Sequence, residues 1–194
     1  NTLWIWGNNE RGRFGVNDSI PRSSPVQLPG TQWKEVVQSS PGMRGIKTDG
    51  TLWVWGYNTD GRLGINDIID RSSPTQIPGT EWTTISSSYY STKILKSDGT
   101  MWIIGTNGFG QLGQNNQTGY SSPRQLPGTQ WSEISSGSYF STLATKTDGT
   151  LWAWGYNASG TLGQNNNIYR SSPTQIPGTT WTKPVAFGAN SASC

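Results

Sequence analysis

The ten residues Trp55-Gly-Tyr-Asn-Thr-Asp-Gly-Arg-Leu-Gly64 decide the fold, because the chain writes them four times. They return as Trp6-Gly-Asn-Asn-Glu-Arg-Gly-Arg-Phe-Gly15, as Ile104-Gly-Thr-Asn-Gly-Phe-Gly-Gln-Leu-Gly113 and as Trp154-Gly-Tyr-Asn-Ala-Ser-Gly-Thr-Leu-Gly163. Self-similarity at a fixed period is the mark of a repeat architecture, in which each unit buries its apolar faces only against its neighbours.

Outward from this loop the register holds along the whole chain. Trp4, Trp53, Trp102 and Trp152 align, as do Pro25, Pro74, Pro123 and Pro173, and Trp33, Trp82, Trp131 and Trp181, at offsets of 49, 49 and 50. The extra residue is Gly137. The units are roughly 1–49, 50–98, 99–148 and 149–194, the last incomplete, within a single domain.

Each unit reads as four short strands. Thr51-Leu-Trp-Val-Trp-Gly56 is wholly apolar between glycines, as expected of a strand covered on both faces. Pro74 removes a ladder donor from Arg71–Ile77, which is expected to be an edge strand or to begin after the proline. Pro78-Gly79 turns the chain into Trp82–Ile85, and Thr92–Lys96 runs to an Asp98-Gly99 hairpin of the two-residue type I′ kind. Short strands without helical periodicity, at a period of 40 to 50 residues, imply a radial array of small antiparallel sheets, a β-propeller.

Composition agrees. Leu, Ile, Val and Phe number 34 of 194 residues, but there are eleven Trp, and each buries roughly 150–250 Å² when packed. Trp4, Trp6, Trp53, Trp55, Trp102, Trp152 and Trp154 are therefore assigned to the core between blades. Paired on one strand face, they could instead stack sugars or single-stranded nucleic acid, but Ile104 replaces one of them, which favours packing. Gly61, Gly64, Gly110, Gly113, Gly160 and Gly163 are assigned to tight turns, because no Lys-Ser/Thr follows them as a phosphate loop requires.

The Trp-Gly-x-Asn-x-x-Gly-x-Leu-Gly pattern resembles the regulator of chromosome condensation repeats, in a bacterial or phage tandem form, over essentially the whole chain. The resemblance implies four-stranded blades, usually seven around a channel, with the two termini sharing one blade. It also implies nucleotide exchange on the small GTPase Ran and chromatin binding, which need insertions and basic surfaces not found in this sequence. The family commonly has a His after the Trp131–Gly137 strand; here Tyr90, Phe140 and Ser191 lie near that position.

Without any His, a Ser-His-Asp triad, a Cys-His dyad and a His-bearing zinc site are excluded. Asp49, Asp98 and Asp148 precede Gly at hairpin tips and are read as turn residues. Asn17-Asp18, Asn66-Asp67, Asn115-Asn116 and Asn165-Asn166 open variable loops, where a hard cation is weighed against plain solvated loop and the loop is preferred. Asn17, Asn116 and Asn157 begin glycosylation sequons. The single Cys194 allows no intrachain disulfide.

The reading is a non-enzymatic, multivalent recognition or adhesion module without cofactor or metal, on an extracellular or virion surface. The alternative is a structural subunit of a fibre, appendage or virion decoration. Its partner is expected to be a protein or glycan surface. Net charge is +3 with 14 basic and 11 acidic residues scattered singly, which argues against nucleic acid, and no stretch is long and apolar enough to span a membrane. Candidate ligand contacts are Tyr57, Arg62, Arg71, Tyr120, Tyr156, Tyr169 and Arg170, on loops 19–22, 68–71, 117–120 and 167–170. Asn1–Trp6 is expected to be the innermost strand of a blade, completed by the segment from Trp181. The ends should then meet within one chain as a closed four-bladed ring, between chains as a larger ring or fibre, or by pairing with further residues outside this sequence.

Overall fold

The computed structural model describes residues 2–39, 42–137 and 140–186, and the backbone of 192–193. After β1 (Trp4–Gly7) and β2 (Arg22–Gln27) come three complete blades. The first holds β3 (Trp33–Ser39), β4 (Gly42–Lys47), β5 (Leu52–Gly56) and β6 (Arg71–Ile77). The second holds β7 (Trp82–Ser87), β8 (Ser91–Lys96), β9 (Met101–Gly105) and β10 (Tyr120–Gln125). The third holds β11 (Trp131–Ser136), β12 (Ser141–Lys146), β13 (Leu151–Gly155) and β14 (Arg170–Ile176), and is followed by β15 (Val185–Ala186) and β16 (Ala192–Ser193).

Within each blade the strands pair antiparallel in chain order. The first strands touch from blade to blade, β3 with β7, β7 with β11, and β11 with β15, so they converge on the axis. The Pro74 strand lies at the outer edge, as its missing donor requires. The apolar Leu52–Gly56 strand is third in its sheet, flanked by β4 and β6. That corrects the expectation that Asn1–Trp6, the corresponding strand of its unit, is innermost: being covered on both faces marks an interior strand of a sheet, not the one nearest the axis.

The hairpin expectation also changes. Lys96 N–H bonds the Thr100 carbonyl at 3.0 Å and Gly99 N–H the Lys96 carbonyl at 3.1 Å, and of the turn residues only Gly99 has a positive φ, +76°. This is a three-residue loop, a type I turn closed by a left-handed glycine. Asp98 stays in an ordinary conformation because its carboxylate caps the turn, accepting from the Thr100 amide at 2.9 Å and hydroxyl at 2.6 Å.

The core lies between blades. Ile46, Leu52, Val54 and Ile77 of the first blade meet Trp82, Ile85, Ile94 and Ile104 of the second. Leu95, Met101, Ile103 and Leu126 of the second meet Trp131, Ala144 and Trp154 of the third. Trp55, Ile104 and Trp154 are fully buried, as the packing assignment requires. Trp53, Trp102 and Trp152 are half-buried, each indole donating to the Thr two residues before it and lying under a lysine ammonium, Lys47, Lys96 or Lys146, at 4.4, 5.3 and 4.8 Å.

Trp4 and Trp6 depart from the assignment, being 54% and 61% exposed. β1 pairs only with β2, and β15 only with β16, as two separate two-stranded sheets. The half-blades are the outer and inner strands of a unit, and among the described residues no strand pairing joins them. Pro184 confines the strand expected from Trp181 to Val185–Ala186, and Ser191 and Cys194 lie outside the described residues.

Candidate functional site

The repeated ten-residue loop follows the third strand of each blade and is built around its Asn. Asn58, fully buried, accepts from Leu63 N–H at 2.9 Å and donates to the Asp67 carbonyl and carboxylate, both at 2.9 Å. Asn9, Asn107 and Asn157 repeat the arrangement. Since Asn157 is fully buried and bonded in this way, its sequon offers no glycosylation site.

The glycines let the loop press on the next blade. A Cβ on Gly61 would come within 2.5 Å of Ser121, and one on Gly64 within 2.7 Å of Ile104. Gly110 meets Ser171 and Gly113 meets Trp154 of the next blade in the same way, and at Gly160 and Gly163 the nearest of the described residues come within 3.6 and 3.4 Å.

With this frame fixed, the positions that differ from unit to unit gather at one end of the blades, opposite the Asp-Gly hairpins. They form a continuous run of rings and guanidinium groups. Arg11 lies 5.0 Å from the Tyr57 ring, and Arg62 lies between Tyr57 and Tyr90 at 4.9 and 4.8 Å. Tyr90 contacts Tyr89 at 4.5 Å and stacks on Phe140 at 5.5 Å with planes 4° apart. Phe140 meets Phe109 at 4.8 Å, and Phe109 meets Tyr156 and Tyr169 at 5.3 and 5.8 Å. Phe140 holds a φ of +79°, a costly conformation for a bulky residue and one that tends to occur at functional positions.

One end of this run opens into a cleft of about 400 Å³. Glu10, Arg11 and Arg13 line it from the first loop, Tyr57, Asp60 and Arg62 from the second, and Tyr89 and Tyr90 from the next blade. Its charges are balanced locally. Arg11 pairs with Asp70 at 3.3 Å, Arg13 with Glu10 at 3.7 Å, and Arg62 with Asp60. Beneath it the buried guanidinium of Arg44 donates to the Arg62 carbonyl at 2.5 Å, and burial, helped by the nearby charge of Arg62, pulls its pKa down to about 9.

The structure thus brings Tyr57, Arg62, Tyr156 and Tyr169 together. Arg71 instead holds its own loop, through Asp67 and the Ile69 carbonyl. The Ile69 amide, and then Arg71, keep the Asp67 carboxyl below the usual carboxylate range. Asp18 is bound likewise by Ile20 and Arg22. Tyr120 stands apart, packed on the second core cluster with its hydroxyl taking a bond from Asn116 at 3.1 Å. Arg170, half-buried, has Asn166 where Arg71 has Asp67, and its Nε has no partner among the described residues. Among the described residues no group of three or more acidic, His or Cys side chains could hold a metal.

Arg11, Arg13, Tyr89, Tyr90, Phe109 and Phe140 were not among the candidate contacts. Arg11, Asp60 and Phe109 occupy the same place in successive copies of the ten-residue loop, and the change of residue type there was the available signal. For Tyr90 and Phe140 it was the replacement of the expected His.

The repeat model for the regulator of chromosome condensation (RCC1) matches residues 49–95, 98–144 and 148–194. The chain belongs to the RCC1 repeat family. A second RCC1 model matches residues 131–161. No curated protein sequence matches the chain. Among solved structures, human WBSCR16 is 22% identical with a TM-score of 0.81, over 96% of this chain and 51% of that one. Prp20p from Saccharomyces cerevisiae, a protein with binding properties toward Gsp1p and histones, is 17% identical with a TM-score of 0.77, over 92% and 47%. The chain spans about half the length of these RCC1-fold proteins, and the likeness at these identities is one of fold.

Proposed function

We propose that this chain is a non-enzymatic recognition module that binds through the loop end carrying Arg11, Tyr57, Arg62, Tyr90, Phe140, Phe109, Tyr156 and Tyr169. The observation that carries the reading is the continuity of that run across successive blades, on a backbone frame otherwise repeated unit by unit. Rigid sheets that position variable loops are how binding surfaces are commonly built. Half-buried rings supply contact area at small entropic cost, because each has few rotatable bonds. Exposed Ile20, Ile68, Ile69 and Ile168 at the loop tips add apolar contacts. A multivalent surface of this kind suits an extracellular or virion location and a bacterial or phage source, with glycans or proteins as partners.

The absence of catalysis in this reading rests on how the polar groups are used. Asp49, Asp98 and Asp148 cap hairpins, and Asp18 and Asp67 hold arginines. The Lys-Ser-Ser contact of the second blade, Lys93 to Ser91 to Ser88 at 2.8 Å each, is buried throughout.

The test is binding of the fluorescently labelled protein to panels of bacterial and animal cells, beside a Tyr90→Ala/Phe140→Ala variant of unchanged melting behaviour. Surface binding lost in the variant supports the reading. Equal binding by both, or none by either, overturns it. A second reading, as a structural subunit, is favoured by the exposed Trp4 and Trp6 on β1. It requires that electron microscopy of the purified protein show ordered polymers.

A further inference from the structure

We infer that the N-terminal half-blade of one copy of this chain docks head to tail on the third blade of a second copy, through the contact that joins blades inside the chain. The inference goes beyond the recognition reading, because it concerns the flanks of the blade array and not the loop-end run of rings. It also names the contact through which the structural-subunit reading would work.

The contact between blades has a fixed content, filled three times. The amides of Asn17, Asn66 and Asn115 donate to the carbonyls of Ser72, Ser121 and Ser171, and Gly12, Gly61 and Gly110 press on the same three serines. Gly15 and Gly113 press on the Trp55 and Trp154 indoles, which donate to the Arg13 and Gln111 carbonyls at 3.0 Å each, and Gly64 presses on Ile104.

The fourth copy of each side stands unmatched. On the third blade Asn165 holds a φ of +54°, close to the +64°, +60° and +56° of Asn17, Asn66 and Asn115, yet among the described residues its amide bonds no other blade. Gly160 and Gly163 are exposed, whereas the corresponding glycines of the other three loops are buried. On the N-terminal half-blade Ser23 occupies the place of Ser72, Ser121 and Ser171, and Trp6 that of Trp55, Ile104 and Trp154. Ser23 is exposed and Trp6 is 61% exposed, while those six counterparts are half-buried or buried.

The strand edges match as well. β15 pairs with β16 in the register of β11 with β12, Val185 facing Ser193 as Ser135 faces Leu143. β12 in turn pairs with β13, Leu143 facing Ala153, and Ile5 of β1 is the counterpart of Ala153. A second copy's β1 therefore continues the β15–β16 sheet, with Ile5 opposite Ser193, and two half-blades become one four-stranded blade without free inner edges. The same placement sets that copy's Trp6 against Gly163 and its Ser23 carbonyl at the Asn165 amide. The occupant is a second copy because the surface that fits is the chain's own. The two surfaces differ, so the contact is heterologous and builds a closed ring or an open filament.

The experiment is sedimentation velocity of the full chain over roughly 1–100 µM, where contacts of modest affinity become populated. The samples are the wild type, Trp6→Asp, Gly163→Asn and an equimolar mixture of the two variants. Both positions are exposed, and Asn tolerates the left-handed conformation of Gly163, φ +64°, so each variant keeps the fold. The wild type should form dimers and larger species, and each variant alone should associate at least about tenfold more weakly. The mixture should give dimers and nothing larger, since one variant still offers Trp6 and the other still offers Gly163. Hydrogen exchange of the wild type reads the contact without any substitution: the Asn165 amide should gain protection as concentration rises, and the Asn66 amide, already bonded, should not. A wild type that stays monomeric, with Asn165 exchange independent of concentration, overturns the inference. So does association retained by Gly163→Asn alone, which would mean that Trp6 meets Trp6. Closed rings without polymers leave the inference standing and remove the structural-subunit reading, while the cell panels decide the recognition reading separately.

Discussion

The backbone amide of Asn66, held at a φ of +60°, donates to the carbonyl of Ser121 in the next blade at 2.7 Å. The same bond links Asn17 to Ser72 and Asn115 to Ser171, each at 2.7 Å. Adjacent blades are therefore joined by a polar latch at the outer edge strand as well as by the apolar core. The edge strand would otherwise expose unpaired carbonyls.

The latch depends on a left-handed residue that Asn tolerates and β-branched residues do not. Asn66→Val should destabilise the protein by about 1–3 kcal/mol, whereas Asn66→Gly should stay within about 1 kcal/mol of wild type. Urea unfolding of the two variants checks this. Equal losses in both would show that the Asn side chain, not the backbone conformation, carries the effect.

Burial divides the tryptophans that the sequence groups together. Trp55 is fully buried against Gly15 and Trp33, with its indole donating to the Arg13 carbonyl at 3.0 Å, so Trp55→Ala should cost about 3–5 kcal/mol. Trp53 is half-exposed beneath Lys47, and its removal should cost only about 1–2 kcal/mol. Denaturant midpoints for the two variants measured side by side decide the order.

Repeat period, apolar strands, edge prolines and the Trp core are legible in the sequence because each follows from local pattern or composition. The position of the Leu52–Gly56 strand within its blade is not, since burial on both faces does not say how far a strand lies from the axis. The site is legible only in part. Tyr57 and Tyr156 belong to the repeated loop and stand out, but the link between them runs through Tyr90, Phe140 and Phe109. Those residues lie in three different loops, brought together by the radial arrangement alone. Arg71 shows the converse, for nothing in the loop composition reveals that Asp67, four residues before it, already holds its guanidinium.

Each Asp-Gly hairpin is the start of a relay: the Asp carboxylate accepts from Thr, and the Thr hydroxyl accepts from Trp, as in Asp98, Thr100 and Trp102. Hydrogen bonds from Thr lower the Asp49, Asp98 and Asp148 pKa values in the folded protein. A carboxyl whose folded pKa is depressed stabilises the fold above its unfolded value and loses that contribution as pH falls through the folded one. The triple variant Asp49→Ala/Asp98→Ala/Asp148→Ala should melt below wild type at pH 7. The gap should narrow as the pH drops below about 4, the ordinary carboxylate range. Melting curves from pH 7 to 2 test the convergence, and a gap constant across that range would mean that turn geometry, not the charged bond, is responsible.

Lys93 is a charge that costs the fold stability instead of supplying it. It stands at the same place in β8 as Arg44 in β4 and Leu143 in β12, paired with Ile103 as those are with Val54 and Ala153. It is fully buried, and among the described residues its ammonium reaches only the Ser91 hydroxyl, at 2.8 Å. The flanking β7 and β9 contribute no charged side chain, and β11, which packs on β8, contributes only Glu133. Burial accordingly pulls the pKa down to about 7. Below that value the ammonium is charged in both states and the folded protein bears the full cost of burying it. Between about 7 and the unfolded value near 10.4 the unfolded state binds more protons, so stability rises with pH. Leu143 shows that a leucine fits this niche in the third blade. Lys93→Leu should therefore stabilise the protein at pH 6 by about 1–3 kcal/mol, the usual gain when a poorly paired buried charge is replaced by an apolar side chain of similar volume. The rise in stability of the wild type from pH 6 to 9 should flatten in the variant. Urea midpoints at both pH values measure the two effects together, and a Lys93→Leu protein less stable than wild type at pH 6 would show that the ammonium is held by the fold as a favourable contact.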